Sequence, residues 1–145
     1  MDNFKVRDTD FIARAHAGFA QQEFLGLLGA KLHDVAAGGV EIHLPHKAEL
    51  TQQHGYFHGG AIGTLADIAG GFAALTLMSA DQTVLTVEYK LNIMAPATGE
   101  MLIVRGQVLR PGRNVTVCRS DVFSVLDGVE KLCATSLGTF MVMDS

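Results

Sequence analysis

Asp67 is the one charged residue between Gly59 and Ala80. An ionised carboxylate among Leu65, Ala66, Ile68 and Ala69 is costly unless it is hydrogen-bonded or reached by solvent, and desolvation raises its pKa. Such a group suits a general base or a nucleophile. The plainer alternatives are a solvated helix face or a buried polar staple. Eight residues earlier, Gly59 and Gly60 follow His58 where a helix is expected to begin. The first N–H groups of a helix lack intrahelical partners and carry partial positive charge. They therefore suit an oxyanion or a polarised carbonyl, and glycine lets a ligand approach the backbone. Alone, the two glycines would read as tight packing at a loop-to-helix junction; with an acid in the same apolar helix they read as half of a site. Eight residues of helix span about 12 Å at 1.5 Å each. No single carbonyl can touch both the Gly59 N–H and the Asp67 carboxylate of one chain. Joint action on one substrate requires Asp67 from a second subunit.

These residues sit in a readable succession of elements. Thr9 to Gln22 is predicted as a helix with Thr9 as its N-cap, on the spacing of Phe11, Ile12, Ala15, Phe19 and Ala20. Leu27 to Val35 could be a strand, Ala37-Gly38-Gly39 a turn, and Val40 to Leu44 alternates as a half-buried strand ending at Pro45. His46 to Phe57 is polar and irregular. A long apolar helix is expected from near His58 to near Asp81. Four strands follow as an antiparallel meander: Thr83 to Met94, Met101 to Leu109, Asn114 to Leu126 and Glu130 to Met143. Pro111-Gly112 fits a type II turn, and Asp127-Gly128 a type I′ hairpin. A helix apolar on every side cannot lie on an open sheet facing water, so the sheet must curl around it. The expectation is an α+β protein with the hotdog fold.

Composition sets the outer limits. The 145 residues fit one domain, with residues 1–25 as an N-terminal helical segment. Hydrophobic residues make up 48% and charged residues 18%, which excludes disorder. A mean hydropathy of +0.26 suggests that some apolar surface meets another subunit. The net charge of −4, without a basic run, gives no footprint for nucleic acid. Gly59 to Ala80 is long enough to span a bilayer, but five glycines, a mid-span carboxylate and the lack of flanking Lys or Arg argue for a buried soluble helix. Cys118 and Cys133 form no C-x-x-C pair and read as core residues. Met1 to Asp8 carries no signal-peptide apolar region, so a reduced, cytoplasmic protein is expected. His54 and His58 stand four apart, as zinc ligands can. No third ligand lies nearby, Gly55 disfavours a helix there, and no metal is expected.

The segment Gln52-Gln53-His54-Gly55-Tyr56-Phe57-His58-Gly59-Gly60 with Asp67 resembles the PaaI-like branch of the hotdog-fold acyl-CoA thioesterases. That branch carries Gly-x-x-His-Gly-Gly at the mouth of its central helix and Asp eight residues past the first paired glycine. Gly55, His58, Gly59, Gly60 and Asp67 fill those positions. Leu85 to Tyr89 and Ala95-Pro96-Ala97 look like the family's next strand and its end, so the resemblance runs from about Gly26 to Met143. It implies that Gly59 donates its N–H to the thioester carbonyl and that Gln52 stands where relatives usually have Asn. It also implies that Thr86 matches a Ser/Thr steadying the attacking water. His58 is expected to shape the loop and helix mouth, and Tyr56 and Phe57 to line the acyl pocket or pack beneath it. Arg110 and Arg113, bracketing Pro111-Gly112, suit coenzyme A phosphates, the alternative being a solvated hairpin tip. The family pairs two central helices antiparallel in a dimer and often doubles to a tetramer, with no cofactor.

The expected activity is hydrolysis of acyl-CoA to a free acid and CoA, tilted toward medium- or long-chain or aryl groups. Two competitors are an acyl-thioester hydratase, whose Asp-x-Asn-Pro-x-His type loop is absent, and a non-catalytic acyl-CoA-binding module. An apolar acyl pocket would gain nothing from a buried acid, which weighs against the module.

Overall fold

The computed structural model describes residues 4–145. Its elements are α1 (Phe11–Ala20), α2 (Glu23–Leu28), β1 (Lys31–Ala36), β2 (Gly39–Pro45), a 3-10 turn (Ala48–Leu50), α3 (Gly59–Leu75), β3 (Gln82–Ile93), β4 (Met101–Arg110), β5 (Val115–Leu126) and β6 (Val129–Asp144). One antiparallel sheet in the order β1-β2-β4-β5-β6-β3 curls around α3. This is the α+β hotdog fold that the apolar helix demands. Ile62, Leu65 and Ala69 of the helix are buried with Ile42, Val104 and Val122 of the strands. Small residues let the layers close: a Cβ on Gly106 of β4 would lie 2.3 Å from the Ala69 carbonyl oxygen. Such an approach tolerates only glycine.

Several local expectations are corrected. β3 lies beside β6 at the sheet's edge, so only β4-β5-β6 form a meander. The first helix begins at Phe11, and its N-cap is Asp10 rather than Thr9. Residues 23–28, in part assigned to a strand, form the short helix α2, closed by Gly29 at φ 83°. Gly112 is absent from the positive-φ glycines, so Pro111-Gly112 is not a type II turn. Asp127 and Gly128, at φ 51° and 74°, do make the left-handed pair a type I′ turn requires.

α3 also ends six residues earlier than its hydropathy suggests. The carbonyls at and beyond its end are met by a residue far away in sequence. Arg14 of α1 donates through Nη2 to the carbonyls of Leu75 and Met78 (3.1 and 2.9 Å), and through Nη1 to those of Ser79 and Gln82 (2.7 and 3.1 Å). Asp8 lies 3.0 Å from its Nε. This guanidinium collects carbonyls left free at and beyond a helix C-terminus, where a cation is favoured. Among the described residues, no helix is long and apolar enough to cross a membrane.

Candidate active site

The mouth of α3 is built by the loop before it. His58 N–H donates to the Leu50 carbonyl (2.8 Å) and Phe57 N–H to that of Ala97 (2.9 Å), which pins the chain where the helix starts. His58 is the N-cap, with extended backbone, and its Nδ1 accepts the Gly60 N–H at 2.8 Å. Gly60 therefore has no amide left for a ligand. The Gly59 N–H meets no acceptor among the described residues. Gln52 turns its Oε1 toward the N–H groups of His54 and Tyr56. Two donors on that oxygen orient the carboxamide and leave its Nε2 without an acceptor among the described residues. Gly55, at φ 81°, makes the tight turn between them.

Gln52, Tyr56, Phe57 and Gly59 thus line one cleft of about 390 Å³, closed by Ile93 and Ala95–Ala97. Phe57 is buried and meets His46 edge-on, whereas Tyr56 is exposed.

Asp67 lies in a second cleft of about 390 Å³, between α3, β3 and the end of α1. Thr86 Oγ1 donates to Asp67 Oδ1 at 2.8 Å. The β3–β6 register shifts between Thr86 and Glu88, a bulge of the kind that re-aims a side chain beside a site. Burial pushes the Asp67 carboxyl above its ordinary value, and the Thr86 hydrogen bond partly offsets that shift. Ile68, Phe72 and Leu75 make the surroundings apolar. The helix spacing between Gly59 and Asp67 is thereby expressed as two separate clefts.

Other expectations fall outside both clefts. Arg110 and Arg113 are exposed and line neither one, with no ion pair found for them among the described residues. Arg105 is bound by Glu41 and Glu130. His54 and His58 gather no third metal ligand among the described residues. Cys118 and Cys133 are buried, and burial lifts the Cys118 thiol to about 12. One wall was missed from sequence: Gly18, Gln21 and Gln22 close the Asp67 cleft. The Gln21-Gln22 pair at a helix end was the available signal.

A sheet wound on one helix, with a free amide at the helix mouth and a carboxylate of raised pKa within it, defines a hotdog-fold protein with the groups an acyl-transfer enzyme uses. The chain belongs to the thioesterase superfamily, whose family profile matches residues 54–130. It is 35% identical to a candidate esterase of Saccharolobus solfataricus over 80% of each chain. A thioesterase family protein of Silicibacter pomeroyi superposes with a TM-score of 0.91 at 38% identity, covering 93% of this chain and 99% of that one. The E. coli PaaI protein from the phenylacetic acid degradation operon shares the fold, with a TM-score of 0.83 at 18% identity over 96% and 97% of the two chains. These likenesses support a thioesterase-type hydrolase.

Proposed function

We propose that the protein hydrolyses acyl-CoA thioesters to a free acid and CoA in a site shared by two copies of the chain. The observation that carries this reading is the carboxylate of Asp67, raised in pKa and held by Thr86 inside an apolar cleft. The thioester carbonyl accepts the Gly59 N–H, where a helix N-terminus favours the oxyanion as it develops. The Gln52 amide is available as a second donor. Asp67 of the partner subunit takes a proton from water as the water oxygen bonds to the carbonyl carbon. The C–S bond then breaks, the protonated Asp67 carboxyl returns its proton to the leaving sulfur, and CoA departs as the thiol. Direct attack by the carboxylate, through a mixed anhydride that water opens, uses the same atoms.

Pairing of two copies is supported by β3. It is an edge strand that exposes Leu85, Val87, Tyr89 and Ile93, and an apolar edge of that kind invites a partner. A dimer with antiparallel central helices, doubling to a tetramer, fits this surface. Arg110 and Arg113 are assigned to the CoA phosphates, Tyr56 and Phe57 to the acyl pocket, and medium- or long-chain or aryl groups to the substrate. Two buried, unpaired thiols suit a reducing cytoplasmic setting.

A thiol-release assay over acyl-CoAs of graded length and aromaticity tests the reading. Turnover that depends on Asp67 and peaks for one acyl class is expected. Tight retention of acyl-CoA without thiol release would contradict it and favour a binding module.

A further inference from the structure

The outer face of the sheet carries a second cluster of ionisable side chains. Along β2, Val40, Ile42 and Leu44 point into the core, so Glu41 and His43 point away from α3. The neighbouring edge strand β1 has a register shift between Leu32, opposite Ile42, and Asp34, opposite Glu41, which leaves His33 as an extra residue beside that step. The bulge aims His33 at Glu41 and His43. Its ring stacks on His43 with centroids 4.0 Å apart and planes 13° apart. His43 Nε2 lies 2.6 Å from Glu41 Oε1, and His33 Nε2 lies 4.0 Å from the same oxygen. All three ligand atoms fall within 4.8 Å of one another.

We propose that His33, Glu41 and His43 form a binding site for a divalent late transition-metal ion such as Zn2+, separate from the thioester site. Two imidazoles and a carboxylate suit such ions and leave a fourth position for water. Bonds of about 2.0–2.2 Å place tetrahedral ligand atoms roughly 3.3 Å apart. The present separations bracket that value, and His33, with its side chain 59% exposed, is free to close the remaining gap. The second carboxylate oxygen of Glu41 accepts from Arg105 Nε at 2.7 Å, while Arg105 is gripped by Glu130 at 2.6 and 2.9 Å. An outer partner of this kind fixes the ligand's orientation and leaves Oε1 for the ion.

The surrounding charges are compatible with a cation. Asp34 and Lys31 pair in register with Glu41 and His43. With Glu41, Glu130 and Arg105 they leave an excess of one negative charge when both imidazoles are neutral. The two rings are stacked nearly parallel, so His33 must turn out of the stack for its in-plane lone pair to meet the ion. A bound ion would tie the bulge of edge strand β1 to β2.

The test uses tag-free, chelator-treated full-length protein. Equilibrium dialysis measures Zn2+ uptake, Co2+ substitution gives a visible spectrum, and thermal unfolding is followed with and without Zn2+. One equivalent per chain, low-coordinate Co2+ bands and a higher Tm with Zn2+ are expected. His33→Ala and His43→Gln should each lower affinity by more than the roughly tenfold cost of losing an outer-shell partner. His54→Ala should leave affinity unchanged. No stoichiometric uptake by the parent protein, uptake unchanged in both cluster variants, or loss of uptake in His54→Ala would overturn the site.

Discussion

The two clefts along α3 are complementary in chemistry. At the helix mouth, Gly59 offers a free backbone N–H and Gln52 a side-chain amide, but no carboxylate lines the cleft among the described residues. Two turns further along, the second cleft holds Asp67 and Thr86 in apolar surroundings. Every backbone N–H of a mid-helix residue is taken by the helix itself, so this cleft has no helix-terminus amide to offer. Donors gather where a helix starts, and an acid of raised pKa requires burial along its flank. One helix supplies both environments but not at one place. Pairing of two such helices would bring unlike clefts together.

Asp67→Asn should produce the largest effect. Loss of general base catalysis is worth about 10²–10⁴ in kcat, read by steady-state thiol release. The same variant should melt at a higher temperature near neutral pH. An acid whose folded pKa is raised binds more protons folded than unfolded between its ordinary value and the raised one. Its stability contribution falls as pH rises through that window and stays low above it. The melting advantage should therefore vanish below the ordinary aspartate range.

Gly59→Pro tests the other cleft. Proline is accepted at the first position of a helix, and His58 before it is extended, as proline prefers. The substitution removes the free N–H while keeping the helix, and should cost about 10²–10³ in kcat. Unchanged turnover in a folded variant would take the amide out of the mechanism.

How far these regions are visible in the sequence follows from what determines each. Asp67 stands out because a lone acid in an apolar helix violates a local pattern. The Asp127-Gly128 turn is fixed by two adjacent residues, and it was legible for that reason. By contrast, the carbonyls at the end of α3 are met by Arg14, some sixty residues away in sequence. β3 leaves β4 for β6 through pairing that no short window records. The α1 wall of the Asp67 cleft and the engagement of Arg105 by Glu41 and Glu130 are likewise products of tertiary contact. His58 lies between these cases. Its place at the helix mouth could be read from sequence, but its capture of the Gly60 amide required side-chain geometry.

Smaller effects sharpen the contrast. Thr86→Val deletes the hydrogen bond that lowers the Asp67 pKa, so the acid limb of the pH–rate profile should move to higher pH. An unmoved limb with reduced kcat would assign Thr86 to packing alone. His58→Ala removes an N-cap contact worth about 1 kcal/mol. It should lower thermal stability by that amount while leaving the acid limb in place.

Shared occupancy of one site by two chains is tested most directly by mixing. Asp67→Asn and Gly59→Pro chains, each inactive alone, are unfolded and refolded together, with heterodimers verified by differential tags. Each mixed dimer retains one intact pairing of amide and carboxylate, so thiol release should return in the mixture and be absent from either variant refolded alone. Verified heterodimers that remain inactive would contradict a site built from the helix mouth of one copy and the carboxylate of the other.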